Sequence, residues 1–134
     1  MAKADTFHCS VVTPERAVLE CDAKFVAFPA HDGEMGVLVN RAPLVCKLGI
    51  GTLRAETPDR KHLLFIDGGF AQVVDNRVTI LTEQAKTPDE IDVNAARQAL
   101  TDARAMRIID DQTCTARSNA IRRAEVQIGL TRRG

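Results

Sequence analysis

The chain has 134 residues, a length that suits one compact domain or two small ones that share an interface. Its 18 Lys and Arg residues balance 18 Asp and Glu residues, so no net charge favours binding to nucleic acid or to an anionic membrane surface. Trp and Tyr are absent, so we expect an aliphatic core with the five Phe residues as its large side chains.

The N-terminal segment lacks the sustained apolar stretch of a signal peptide, and no run nears the ~20 apolar residues that span a bilayer. We therefore expect a protein that is made in a cytosol-like compartment. The four Cys residues show no CxxC spacing, which favours reduced thiols that are buried or inert.

Short alternating segments up to about residue 86 predict β-strands. Residues 6–12 place Phe7, Cys9 and Val11 on one face, the period of a half-buried strand. Eight to ten strands at this spacing predict an antiparallel sandwich or barrel, and the lack of βαβ alternation argues against a parallel sheet. Further strands are predicted at 24–30, 36–39, 62–67, 70–74 and 78–83, with one or two more in 43–57.

The chain from residue 87 onward has a helical pattern instead. Thr87 to Glu90 has the form of a capping box with Pro88 at the first helical position, which predicts a helix over 88–108. The pair Asp110-Asp111 predicts a break and a second helix from about 112 to 130. We therefore divide the chain into a β domain, 1–86, and a helical hairpin, 87–134. Two stripes of small residues would form the helix contact: Ala96, Ala99, Ala103 and Met106, and Ala116, Ala120, Ala124 and Ile128.

This hairpin has few large apolar side chains. Burial of Ala contributes little beside the roughly 1.5–3 kcal/mol of a buried Leu or Phe. We therefore expect a weakly held element that depends on the β domain or on another protein.

The sequence holds no motif for catalysis, metal or cofactor. The three His residues have no HExxH or Cys/His ligand spacing, and no GxSxG motif is present. The segment "GIGTL" (49–53) lacks the third glycine and the following helix of a dinucleotide loop. These observations predict a protein that is not an enzyme.

Two segments resemble the epsilon subunit of F-type ATP synthases: "GEMGVLVNRAPLV" (33–45) and "LLFIDGGFAQVVDNRVTILTEQA" (63–85). The resemblance implies a ten-stranded antiparallel β-sandwich followed by a two-helix antiparallel hairpin. It also implies a non-catalytic subunit of a proton- or sodium-translocating ATP synthase that couples c-ring rotation to the catalytic sector. Its expected location is peripheral, on the cytoplasmic side of the cell inner membrane.

The resemblance also implies partners. The sandwich would bind the gamma subunit of the central stalk and the c-ring. The hairpin would be regulatory: extended along gamma toward the catalytic alpha/beta ring, it would inhibit ATP hydrolysis. The implied c-ring and gamma contacts are Asp32, Glu34, Asn40 and Arg41, which we expect to form one polar tip at one end of the sandwich.

Some members of that family bind ATP at the hairpin through an Ile/Leu-Asp-x-x-Arg-Ala motif. Ile91, Asp92 and Ala96 match this motif, but Ala95 stands at the Arg position. If ATP is a regulatory ligand here, Asp92 would take the adenine or ribose side and Arg123 the phosphates.

A different class of function is open on the same sequence. The chain could be a free-standing β-sandwich module for a small ligand, with the helices as a lid. That module should contain a closed apolar pocket, whereas a stalk subunit should expose apolar patches on the sandwich that suit a partner.

Overall fold

The structure, a computed structural model, describes residues 6–133. Ten strands form two five-stranded sheets, and two helices follow them, so the predicted sandwich and hairpin are confirmed. The strands are β1 (Phe7–Val12), β2 (Ala17–Ala23), β3 (Phe25–Ala30), β4 (Gly33–Leu38), β5 (Leu44–Lys47), β6 (Ile50–Glu56), β7 (Lys61–Asp67), β8 (Phe70–Val74), β9 (Arg77–Leu81) and β10 (Ala85–Lys86).

The two sheets have the strand orders β2-β1-β9-β8-β5, here sheet A, and β10-β7-β6-β3-β4, here sheet B. All strand pairs are antiparallel except β1 with β9. These two strands run parallel, and His8 on β1 pairs with Arg77 on β9. The lack of βαβ alternation in the sequence excludes only parallel strands that are joined by a helix. Strands β1 and β9 instead meet because the chain returns to the first strand after circling the sandwich.

The core lies between the sheets, on the inward faces of alternating strand residues. Strand β1 buries Phe7, Cys9 and Val11, as its sequence period predicts. Each fully buried large apolar side chain contributes roughly 1.5–3 kcal/mol, so this layer is the main source of stability. The other large core members are Val26, Phe28, Val37, Leu53, Leu64, Ile66, Val78 and Ile80.

Strand β2 was missed from the sequence, and its composition explains why. It is the outer strand of sheet A, and its outward positions carry Glu20 and Asp22. Leu19, Cys21 and Ala23 do alternate with these carboxylates, but Ala, Asp and Glu are depleted in strands, so the segment has few of the β-branched and aromatic residues that mark one.

The helices are α1 (Val93–Arg104) and α2 (Asp111–Arg133), so the predicted helix over 88–108 is too long at both ends. The capping box at Thr87 closes only a 3-10 turn, Pro88–Glu90, because Ile91 leaves the helical conformation to bury its side chain. Asp92 then caps α1. Past Arg104 the loop side chains are exposed, so no buried face holds a further turn.

The second helix is longer than predicted, since Gly129 does not end it. Its neighbours Ile128 and Leu130 are buried, and this packing outweighs the ~1 kcal/mol cost of a helical glycine. The two stripes of small residues are only partly right. Ala96, Ala103, Ala124 and Ile128 are buried, whereas Ala99 is exposed in the middle of α1. Met106 and Ala116 are exposed because the loop end of the hairpin lies apart from the sandwich core.

Candidate functional site

Helix α2 packs on the outer face of sheet B, against β6 and β7. Between its first half and the sandwich lies a cleft of about 890 Å³. The cleft walls are the turns after β3, β5 and β7, together with one face of α2. Its lining mixes charged and apolar side chains, and includes Lys47, Asp67, Arg122 and Arg123. This cleft is therefore not the closed apolar pocket that a small-ligand module would require.

Two arginines on α2 attach the hairpin to the sandwich. Arg123 forms an ion pair with Asp67 at the end of β7, with 2.7 Å between Nε and Oδ2. Arg122 donates from Nε to the backbone carbonyl of Ile50, at 2.6 Å. The neighbouring Gly51 leaves room for Pro29 on β3, since a Cβ at residue 51 would lie 2.8 Å from a Pro29 side-chain carbon, whereas its 3.6 Å to Arg122 would be an ordinary contact.

A second apolar cluster, outside the sandwich core, holds the other half of α2. Phe65 points outward from β7 and is fully buried beneath Ile91 and Leu130. At roughly 1.5–3 kcal/mol for each buried side chain, this contact outweighs the polar pair at the cleft. The hairpin thus depends on the sandwich, and its partly buried neighbours in the cluster are Ile50, Leu63 and Val126.

A third link ties the start of the hairpin to sheet A. Arg16, in the β1–β2 turn, forms an ion pair with Glu90, with 2.6 Å between Nη2 and Oε2. The Glu90 carboxylate also accepts the backbone N–H of Thr87 at 3.0 Å. This backbone hydrogen bond is the main reason that the pKa of Glu90 is lowered, and Arg16 lowers it further.

The predicted polar tip does not exist as one surface. Asp32 and Glu34 lie at the β3–β4 turn, whereas Asn40 and Arg41 follow the far end of β4. Glu34 is the second residue of β4, and the six residue steps from it to Asn40 separate the two groups by roughly 20 Å. The predicted strand over 36–39 is shorter than β4 and begins three residues later, so the sequence pattern places the two groups too close together.

The two ends of β4 also differ in their internal bonding. Asn40 has a positive φ of 65° and exchanges hydrogen bonds with Asn76, which donates to its side-chain oxygen at 3.2 Å. Asn40 is therefore structural. Within the described residues, the exposed carboxylates of Asp32 and Glu34 have neither an ion pair nor a side-chain hydrogen bond in the chain itself.

Sheet A, opposite the hairpin, exposes an apolar patch that the sequence analysis did not locate. Phe70 on β8 lies directly across from Leu81 on β9, and the two side chains are 56% and 52% exposed. Val45 on β5, 68% exposed, is a diagonal neighbour of Phe70 through the Lys47–Phe70 register. We call these three residues the sheet A patch. Their side chains are too exposed in the isolated chain to belong to its core, which indicates a surface that a partner covers.

Comparison with known proteins gives the family. A family model of the ATP synthase delta/epsilon chain β-sandwich domain matches residues 6–88. The ATP synthase epsilon chain of Rhodopirellula baltica is 41% identical over 127 residues, which cover 95% of this chain and 99% of that protein. This chain belongs to the ATP synthase delta/epsilon family. The expectation that it is not itself an enzyme is confirmed, since the epsilon chain is a non-catalytic subunit.

Further relatives of this family agree in sequence and fold. The ATP synthase epsilon chain of Nitratidesulfovibrio vulgaris, strain Miyazaki F, is 40% identical over 94 residues, 70% of each chain. A chain in the mitochondrial ATP synthase of Euglena gracilis superimposes with a TM-score of 0.79 and 28% identity, over 90% of this chain and 78% of that one. A chain of the Tetrahymena thermophila mitochondrial ATP synthase, with a TM-score of 0.69 and 14% identity, shares the fold. No helix in the described part of this epsilon-family chain is long and apolar enough to cross a membrane.

The four residues predicted for ATP all have other roles in this epsilon-family structure. Asp92 caps α1, accepting the backbone N–H groups of Asn94 and Ala95 at 3.0 and 3.2 Å. Ile91 and Ala96 are buried in packing contacts. Arg123 is paired with Asp67 and lies seven residues, or about 10 Å along α2, from Leu130, which packs with Ile91. ATP binding stays a prediction.

Proposed function

We propose that the chain is the central-stalk epsilon subunit of a proton- or sodium-translocating F-type ATP synthase. Its role would be to couple c-ring rotation to the catalytic sector. The epsilon chain relatives and the Euglena structure, which contains the F1 sector and the c-ring, support this proposal. The sandwich, 1–86, would bind the stalk and the ring, and the hairpin, 87–134, would regulate. The subunit would be peripheral, on the cytoplasmic side of the cell inner membrane.

The sheet A patch is the observation that carries this proposal. Phe70, Leu81 and Val45 form a continuous apolar strip on the sheet that the hairpin leaves uncovered. A solitary soluble domain gains nothing from such a strip, whereas a stalk partner would bury it. The gamma subunit is the partner that we assign to it.

The experiment is a gamma-binding assay with the full-length chain. Phe70→Glu places a charge in the patch, and we expect it to reduce gamma binding at least tenfold, as loss of a central apolar anchor does. Leu38→Glu is the matched control, because Leu38 is equally exposed but lies on sheet B. Equal binding by both variants and the unchanged chain would count against the assignment, once circular dichroism has shown that both are folded.

The acidic turn at Asp32 and Glu34 is our proposed c-ring contact. Both residues are exposed, Glu34 at the rim of the cleft beneath α2, and neither carboxylate has a partner in the described part of the chain, so both are available to polar loops of the ring. Arg41 lies at the opposite end of β4, four residues before Val45 of the sheet A patch; Phe70 and Leu81 lie nearer the acidic turn, since Phe70 pairs with Lys47. We therefore assign Arg41 to the gamma side.

The hairpin is docked in this structure, and we propose that its extended form inhibits ATP hydrolysis. Undocking would free Arg122 and Arg123 from Ile50 and Asp67, which adds two cations to the exposed Arg104 and Arg107 for contact with the alpha/beta ring. A chain truncated after Thr87 should assemble and should raise ATP hydrolysis. Unchanged hydrolysis would oppose the inhibitory role while leaving the gamma-binding result untouched.

A further inference from the structure

Two cysteines face each other across the first strand pair of sheet A. Cys9 on β1 and Cys21 on β2 are direct partners in the antiparallel register. Cys9 is fully buried, and Cys21 is half-buried because β2 is the edge strand. Neither thiol has a part in the stalk function proposed above.

The strand geometry sets the distance between them. His8 donates its backbone N–H to Asn76, so the even-numbered residues of β1 direct their amides to the β9 side and Cys9 directs its own to β2. Cys9 and Cys21 are therefore a hydrogen-bonded pair, for which the Cα atoms lie about 5.5 Å apart. Disulfides span Cα separations of about 4.4–6.8 Å, so the backbone need not move to join them.

The two thiols differ in acidity. The interaction between the two thiols favours ionisation of Cys21 and lowers its pKa. The same interaction, followed by burial, raises the pKa of Cys9. Cys21 is thus the more acidic and the more accessible thiol of the pair, which makes it the nucleophile when it ionises.

We propose that Cys9 and Cys21 form a reversible disulfide when the chain meets a small-molecule disulfide of the glutathione class. The Cys21 thiolate attacks one sulfur of the oxidant, which forms a mixed disulfide and releases one glutathione thiolate. Cys9 then loses its proton and attacks the Cys21 sulfur, which releases the second glutathione. Two protein thiols are oxidised to one disulfide, the oxidant is reduced to two thiols, and the two protons leave with them.

The chain is well suited to a direct test. Trypsin cuts after Lys3, Arg16 and Lys24, so Cys9 lies in peptide 4–16 and Cys21 in peptide 17–24. Cys46 and Cys114 fall in two further peptides, 42–47 and 108–117. The folded full-length chain is equilibrated with graded mixtures of reduced and oxidised glutathione, free thiols are alkylated, and the digest is analysed by mass spectrometry.

We expect peptides 4–16 and 17–24 to appear joined, with a yield that rises with the oxidised fraction and disappears on reduction. Cys21→Ser should abolish the joined peptide, whereas Cys114→Ser should leave its yield unchanged. Joined peptides that appear only after the chain is unfolded in urea would overturn the proposal. Only mixed glutathione adducts, or a link to Cys46 or Cys114, would overturn it equally.

Discussion

The guanidinium of Arg123 and the carboxylate of Asp67 join the hairpin to the sandwich across 56 residues of sequence, with 2.7 Å between Nε and Oδ2. Arg123 is 42% exposed and Asp67 is 19% exposed, so water screens the pair only in part. Together with the Arg122 contact to Ile50, the pair closes one side of the cleft beneath α2.

Asp67→Asn should weaken hairpin docking by about 1 kcal/mol, because the ionic part of this hydrogen bond is lost while the side chain keeps its shape. Hydrogen exchange of α2 amides should speed up about fivefold. Arg104→Gln is the control, since its pair with Glu125 lies within the hairpin, is exposed and spans 3.9 Å. Equal hydrogen-exchange rates in the two variants would mean that the apolar cluster of Phe65, Ile91 and Leu130 alone holds the hairpin on the sandwich.

Asp92→Ala should destabilise α1 by about 1 kcal/mol, since two backbone N–H groups lose their acceptor. In thermal unfolding we expect a midpoint roughly 4 °C lower. Asp89→Ala, at an exposed site three residues earlier, is the control and should change little. An ATP titration of the unchanged chain tests the ligand prediction separately, and no binding at millimolar ATP would end it.

Glu90 predicts a pH dependence at the hairpin junction. Its pKa is lowered below its ordinary value of 4.5 by the Thr87 amide and by Arg16, so its ionised form stabilises the fold at neutral pH. That contribution is lost as the pH falls through the lowered pKa. Thermal midpoints of the unchanged chain and of Glu90→Gln should differ near neutral pH and converge in acid. If the two midpoints differ by as much in acid as at neutral pH, the carboxylate charge does not cause the difference.

Arg41→Glu should weaken coupling without unfolding the domain. Arg41 is exposed, and a surface substitution of this kind changes stability by about 0.5 kcal/mol or less. ATP-driven ion pumping by the reassembled complex, compared with its hydrolysis rate, measures the coupling. Arg60→Glu, in the β6–β7 turn at the same end of the sandwich, is the control. If Arg41→Glu lowers the melting temperature, the residue is structural and its contact role fails.

Glu34→Lys tests the other end of β4, with binding to the c-ring and to gamma measured separately. Because roughly 20 Å separates the two groups, the c-ring and gamma assignments can fail independently. We expect Glu34→Lys to weaken c-ring binding while gamma binding by the isolated chain is retained. The reverse pattern would exchange the two assignments.

Much of the fold was predictable because short segments of the sequence show the hydrophobic period of a strand or of a helix. The alternation of Phe7, Cys9 and Val11 predicts β1, and the change to a helical pattern after Thr87 separates sandwich from hairpin. Strand β2 was missed because Ala, Glu and Asp, which are depleted in strands, make up four of its seven residues. The first helix was placed five residues early, because burial of Ile91 against Phe65 overrides a good capping box.

The sequence by itself determined the two-part organisation, the lack of catalytic motifs and the family resemblance, since all three depend on residues close together in the chain. Tertiary structure alone decided the docking of Arg123 on Asp67, the sheet A patch and the pairing of Cys9 with Cys21. It also separated Glu34 from Arg41. The physical reason is that side chains distant in sequence become neighbours only through strand order and register, which no local period specifies.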